Sequence, residues 1–295
     1  MNTEISDWKN RGNYFEYNNL KTFYIHEGQG EVILILHGYP FSSFEWVAVF
    51  NELVKTNSVV ILDLLGMGFS DKPQNHKYSF EEYCDIINVL LLKLKINNIL
   101  ILAHDLGASV AQELLARNKK HENNFKINSI AFMNGGIFLD VYKPRLIQKL
   151  LSQTPNFIGK FLSKKISKNA IFKSVKATYG TNTQPSESFV NQQWEILNLN
   201  EGKSITYLIG RLVFDKINYQ SRWITAMQTT TIPICYICGV FDPNSGIHMA
   251  NRYKELIPKP KVYLLGETIG HWPHLEDGDN VISIFRDFIK NESRI

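Results

Sequence analysis

Two hydrophobic patterns alternate through about the first 135 residues of the chain. One is short and apolar at every position. Val32–Leu36 reads VILIL and Ile99–Leu102 reads ILIL. Such runs are expected of parallel strands covered on both faces. Lys21–His26, Val59–Leu62 and Ile130–Met133 join the set. The other pattern is longer and helical, at Phe44–Val54, Phe80–Leu94 and Leu106–Arg117. This alternation predicts an α/β fold: a doubly wound, mostly parallel central sheet with helices on both faces.

The rhythm stops near Ile137. It resumes with a strand at Ile234–Cys238, a helix at Ile247–Leu256, a strand at Val262–Leu265 and a last helix near Asn280–Ile289. The interval reads as helices and loops punctuated by proline and glycine, among them Pro155, Gly159, Gly180 and Pro185. We therefore expect a core of residues 1–136 and 223–295, interrupted by a helical cap of residues 137–222. A cap inserted there stands over the carboxyl ends of the strands, where open α/β sheets carry their sites.

Composition alters this picture little. A net charge of +4 on 295 residues gives no argument for a nucleic-acid partner. Three cysteines, Cys84, Cys235 and Cys238, cannot build a disulfide framework. Cys235 and Cys238 lie three apart in one strand, so they point to opposite faces and are expected to be buried hydrophobes, not a metal or redox pair. The polar N-terminal stretch lacks the apolar core of a signal peptide, and no run reaches the roughly 18 apolar residues of a membrane span. A reducing, cytoplasmic setting is the expectation. Gly66-x-Gly68 lacks the third glycine and the following helix of a dinucleotide fingerprint, so no cofactor and no metal are expected.

The stretch Ile99–Ser109 carries the clearest chemical signal. A strand-like run ends, Ala103-His104-Asp105-Leu106-Gly107 follows, and a helix begins. Small residues two positions either side of Asp105 suit a sharp strand-to-helix turn, the nucleophile elbow, with Asp where G-x-S-x-G carries Ser. A carboxylate at a helix N-terminus is favoured in its ionised form and can attack carbon without a base. The loop at His37-Gly38-Tyr39-Pro40 follows a buried strand and can offer a backbone N–H to an oxyanion. His37 itself is expected to be structural. Asp242 stands just past a later strand, and His271 stands in the loop after the last one. Asp105, Asp242 and His271 thus run in the order nucleophile, acid, histidine of the hydrolase elbow fold. His271 would activate water and Asp242 would orient it. His274 is expected to pack or cap.

With these motifs together (HGYP, DLLGMGFSDKP, AHDLGASVAQEL, CGVFDP and GHWPHLED), the chain resembles the α/β-hydrolase superfamily, in its branch with aspartate nucleophiles: epoxide hydrolases and haloalkane dehalogenases. Within that branch it is most similar to the mesoderm-specific transcript protein group. There the likeness extends into the cap, through Asn134–Phe138, Pro144–Leu151, Pro185–Ser188 and Arg222-Trp223. The resemblance implies a two-step mechanism. Asp105 attacks an electrophilic carbon and forms an ester, which water activated by His271 hydrolyses. The backbone N–H groups of Tyr39 and Leu106 would hold the oxyanion.

Haloalkane dehalogenases of this branch hold the halide with a Trp directly after the nucleophile and with an Asn or a second Trp. This chain has Leu106 there, and Tyr39 where the Asn often stands. Trp223 or Trp194 could substitute only from the cap, and packing is the expected role of both. Nor are there arginines just after Asp105, as fluoroacetate dehalogenases have. Epoxide opening needs an acid near the leaving oxygen, and cap tyrosines serve in that family. Tyr207 is the first candidate, Tyr142 and Tyr179 follow, and Tyr219 completes the set. An epoxide-hydrolase-like enzyme on a small to medium apolar molecule is the leading expectation. An Asp-nucleophile hydrolase of haloalkanes or ester-like compounds comes next, then a non-catalytic or lipid-related binding protein that kept the site.

One feature of the cap stands outside this reading. From Lys143 to Lys176 there are nine basic residues and no Asp or Glu. Apolar residues interleave at near-helical spacing: Leu146, Ile147, Leu150 and Leu151, then Phe157, Ile158, Phe161 and Leu162, then Ile171, Phe172 and Val175. Such a segment can lie on an anionic membrane, steer an anionic substrate, or simply be a cap with solvated lysines.

Overall fold

The computed structural model describes residues 1–146, 149 and 153–292. Ile147, Leu150 and Leu151 of the interleaved cap pattern lie outside the described residues. Eight strands form one sheet: β1 (Asn13–Tyr17), β2 (Leu20–Glu27), β3 (Val32–Leu36), β4 (Ser58–Leu62), β5 (Asn98–His104), β6 (Lys126–Met133), β7 (Ile234–Cys238) and β8 (Val262–Leu264). Their order is β1-β2-β4-β3-β5-β6-β7-β8. β1 and β2 are antiparallel to each other, and β2 is antiparallel to β4. From β4 to β8 every pairing is parallel. The strand order reverses at β3, which lies between β4 and β5. The crevice of a doubly wound sheet opens at that point, above the carboxyl ends.

The central strands are buried on both faces, as their unbroken apolar runs require. Alternate residues feed two cores. Leu34, Leu36 and Ile101 pack with α3 (Phe80–Lys93) and α4 (Leu106–Asn118) on one face. Ile33, Ile35 and Leu102 pack with α1 (Thr3–Arg11), α2 (Val47–Leu53) and the C-terminal helix, Gly278–Glu292, on the other. Cys238 belongs to the first core and Cys235 to the second, and both are free thiols. The N-terminal α1 and β1 are additions to the expected set. Asn18 and Asn19 take φ of 49° and 63° between β1 and β2. Such an Asn-Asn pair suits the left-handed turn of a tight hairpin.

Between β6 and β7 the described residues form no strand. The helices there include α5 (Asn156–Lys165), α6 (Lys168–Lys176), α7 (Glu187–Asn198), α8 (Thr206–Gly210), α9 (Leu212–Asp215) and α10 (Gln220–Thr229). After β7 come α11 (Ile247–Leu256), α12 (Pro273–Glu276) and the C-terminal helix, α13. A small apolar cluster of Phe41, Phe172, Val175, Tyr179, Val190 and Trp272 joins the inserted helices to the core. No helix of the described residues is long and apolar enough to cross a membrane.

The insertion is also tied to the core by hydrogen bonds. The backbone N–H of His271 donates to the Thr178 carbonyl at 2.8 Å, and Trp272 Nε1–H donates to Thr178 Oγ1 at 3.0 Å. The Glu276 carboxylate accepts from the N–H groups of Gly180, Gly270 and Trp272 at 2.8–2.9 Å and from Thr183 Oγ1 at 2.5 Å. One side chain of α12 thus fixes a cap loop and the His271 loop together. Close contact is what permits this: a Cβ on Gly180 would lie 1.5 Å from the Thr268 carbonyl oxygen. Glu276→Ala leaves these donors without an acceptor, so a loss of about 2–4 kcal/mol is expected in urea unfolding. A change below about 0.5 kcal/mol would show that the clamp carries no load.

Candidate active site

β5 ends at His104 and the chain turns sharply at the next residue. Asp105 has φ 48° and ψ −110°, a backbone state that non-glycine residues occupy only when their surroundings enforce it. The turn puts the carboxylate at the carboxyl edge of the sheet and starts α4 at Leu106. Crowding explains the small neighbours. A Cβ on Gly107 would lie 2.3 Å from the Leu36 carbonyl oxygen, and the Gly107 N–H donates to His37 O at 3.1 Å. Ala103 is fully buried at the position where the elbow pattern carries Gly.

The Tyr39 N–H donates to Asp105 Oδ2 at 3.0 Å. Leu106 is the first residue of α4, where an N–H has no intrahelical acceptor. Of the two N–H groups expected to hold an oxyanion, that of Tyr39 bonds the Asp105 carboxylate. His37 holds the loop: its Nδ1–H bonds the Gly38 carbonyl at 2.8 Å and its Nε2 accepts from Leu64 N–H at 2.9 Å.

His271 faces two carboxylates. Its Nδ1 lies 2.7 Å from Asp242 Oδ2, and its Nε2 lies 3.8 Å from Asp105 Oδ1. Asp242 is held in turn by Asn244 N–H at 2.7 Å, Ser245 Oγ at 2.6 Å and Asn134 Nδ2 at 3.1 Å. Asn134 is fixed in reciprocal bonds with Gly239. Burial alone would raise the Asp242 pKa, but the His271 charge and these donors bring it down to about 2. Burial alone would lower the His271 pKa, but Asp242, then Asp105 and Glu276, raise it to about 9. This value lies above the ordinary 6.5, so the pair stabilises the fold fully below that pH. The contribution is lost as pH rises through about 9.

Behind the Asp105 turn sits a buried cluster of Glu45, His104 and His274. His104 Nε2–H donates to the His271 carbonyl at 2.7 Å. Glu45 Oε1 accepts from Gly38 N–H at 3.2 Å and lies 3.8 Å from His104 Nδ1 and 3.6 Å from His274 Nε2. Despite burial, the two imidazoles keep the Glu45 pKa near 2, while burial lowers that of His274 to about 4. His274 stacks on Trp46 at 4.2 Å, in the packing role expected of it. Among the described residues this is the one cluster whose ligand atoms could converge on a metal. Each residue also has a structural contact that accounts for its place.

Asp105 and His271 open into a mostly apolar cavity of about 100 Å³, lined also by Tyr39, Ile166, Ile171, Val175, Thr206 and Trp272. Tyr207, the first choice of leaving-group acid, is not part of that lining, although its neighbours Thr206 and Gly210 are. Its ring covers Gly159, lies under the Arg211 guanidinium at 5.2 Å, and borders a separate groove with Asn156 and Lys160. Tyr179 is buried with its ring stacked on Trp272, and Tyr142 packs on Gly136; neither lines the cavity. Tyr219 donates to Glu81 at 2.8 Å. Trp223 donates its indole N–H to Glu113 at 2.7 Å, and Trp194 lies under the Lys203 ammonium, so both have packing roles.

Sequence reading missed three polar groups here. Arg145 and Asn244 line the cavity. Lys216 is buried, with its ammonium 3.4 Å from the Gly136 carbonyl and 5.7 Å from the centre of the Tyr142 ring. It forms no ion pair with a carboxylate among the described residues. Burial lowers its pKa to about 8, opposed by the charge of Asp105. Nothing local in Phe214-Asp215-Lys216-Ile217 sets this lysine apart from the exposed ones.

Asp242→Asn removes the anion that most raises His271. The imidazole pKa is expected to fall from about 9 toward the ordinary 6.5, read by NMR titration. An unchanged value would mean that Asp242 does not set the charge of His271.

The alpha/beta hydrolase fold family model matches residues 31–278. The mesoderm-specific transcript homolog protein of Homo sapiens is 33% identical over 99% of this chain and 89% of its own length. The candidate hydrolase LipZ of Mycobacterium tuberculosis is 30% identical over 92% of this chain and 93% of its own. Among solved structures, the epoxide hydrolase CorEH superposes with a TM-score of 0.77 at 19% identity, covering 95% of this chain and 98% of the other. The matched segment runs from the strand before the HGYP loop past His271, and so spans the whole elbow, acid and histidine arrangement. The chain belongs to the α/β-hydrolase family.

Proposed function

We propose that this protein is a hydrolase that works through a covalent ester on Asp105, opening an electrophile whose leaving group is an oxygen, as in an epoxide. The observation that carries the reading is the carboxylate itself. An Asp stands at the elbow, bonded to the Tyr39 N–H at 3.0 Å, with His271 Nε2 at 3.8 Å. In the first step a carboxylate oxygen of Asp105 bonds the substrate carbon and the carbon–oxygen bond of the ring breaks. In the second, His271 takes a proton from water, which attacks the Asp105 carboxyl carbon. The Tyr39 and Leu106 N–H groups would hold the resulting oxyanion; it collapses with cleavage of the bond between the carboxyl carbon and the ester oxygen, His271 returns its proton to the departing oxygen, and the diol leaves with Asp105 restored. Esterification removes the Asp105 charge, one of the anions that raise the His271 pKa. Asp242 still raises the imidazole, so esterification eases the proton off His271 without removing the main cause of its raised pKa.

An oxygen leaving group is favoured over halide because, among the described residues, no indole N–H is seen to serve the cavity. Trp272 lines it but donates to Thr178, and Leu106 has no donor in its side chain. The small, largely apolar cavity suits a small to medium apolar substrate.

The test is intact-mass analysis of His271→Gln incubated with a panel of epoxides and bromoalkanes. An adduct of epoxide mass on the Asp105 peptide is expected. Adducts from bromoalkanes alone would replace the oxygen reading with a dehalogenase, and no adduct from any electrophile would remove covalent catalysis.

A further inference from the structure

In α5 the large apolar side chains face outward and the small residues face inward. The buried face of the helix carries only Gly159 and Ser163. A Cβ on Gly159 would lie 2.5 Å from the Tyr207 ring, and Thr206 Oγ1 donates to Ser163 Oγ at 3.2 Å, so the helix sits close on α8. The outer face carries Phe157 and Phe161, four residues apart and 76% and 61% exposed, with Ile158 beside them. These rings cannot be cap residues covering the active site, because they point away from it.

Charge selects the partner. Residues 143–176 hold nine basic and no acidic side chains, and Lys164 and Lys165 are exposed on α5 itself. The Lys165 ammonium stands 5.9 Å from the Phe161 ring centre. Phenylalanines on a segment with nine basic and no acidic residues, with Asp215 the one carboxylate of the groove beside Phe157, match a surface that is anionic outside and apolar within, the chemistry of an anionic lipid bilayer. The inner side of the same hairpin faces the site: Ile166, Ile171 and Val175 line the cavity that holds Asp105. One helical layer therefore separates the exposed patch from the nucleophile.

We propose that the α5–α6 hairpin docks this protein on anionic membrane surfaces, with Phe157 and Phe161 entering the acyl boundary and the lysines meeting the headgroups. The inference does not depend on the chemistry assigned to Asp105. Its test is sedimentation of the whole protein with vesicles of phosphatidylcholine, with and without phosphatidylserine. Binding is expected at low salt only when phosphatidylserine is present, with release near 1 M salt, where the screening length is about 3 Å. Lys160→Gln with Lys164→Gln and Lys165→Gln should weaken binding about a hundredfold. Phe157→Ser with Phe161→Ser should weaken it at least about tenfold while leaving the thermal melt unchanged. Absence of binding to the charged vesicles at low salt would overturn the proposal, as would binding indifferent to the two phenylalanines. Concentration-dependent dimers abolished by the phenylalanine changes, without vesicle binding, would assign the patch to a second copy of the chain instead.

Discussion

The site rests on one enforced backbone turn. Left to itself, an aspartate would avoid φ 48° and ψ −110°. The fold holds it there from three sides: β5 is paired with both β3 and β6, the Asp105 N–H bonds the Met133 carbonyl at 3.2 Å, and Gly107 is pressed against β3. The strain has a use. It raises the carboxylate above the sheet at the switch point, into reach of the Tyr39 N–H from one loop and His271 from another. A relaxed turn would let the side chain cap α4 instead, and no oxygen would face the cavity.

Electrostatics then divide the labour. His271 lies between two carboxylates, and a buried ammonium, Lys216, sits on the loop after β6. Under the proposed mechanism, esterification of Asp105 would remove one of the anions that raise the proton affinity of His271. The inserted helices are part of this arrangement. Thr178 and the Glu276 carboxylate hold the His271 loop by its backbone, so a shift of the insertion reaches the imidazole directly. The same insertion presents its phenylalanines and lysines to the outside, which would let a surface-bound state bear on the cavity wall.

Much of this was legible in the chain because backbone geometry dictates local residue choice. The strands VILIL and ICYIC appear in the structure at the positions read from their unbroken apolar runs. The elbow was legible because small residues must flank a crowded turn. The N-terminal helix and β1 escaped notice because a polar helix and an edge strand leave weak patterns, although Asn18-Asn19 was an available turn signal. The surroundings of the expected tyrosines were not legible: their residue type was visible, but that the Tyr207 ring lies against Gly159 only the tertiary packing shows. Lys216 was invisible among so many lysines for the same reason. Burial, not identity, sets it apart.

The covalent step is tested most directly by a single turnover in ¹⁸O-labelled water with enzyme in excess over an epoxide. If water attacks the carboxyl carbon of an Asp105 ester, the first product molecules carry unlabelled oxygen from the enzyme, and the label appears in the Asp105 peptide. Label in the first-turnover product with an unlabelled Asp105 would mean that water attacks the substrate itself, contradicting nucleophilic catalysis by Asp105.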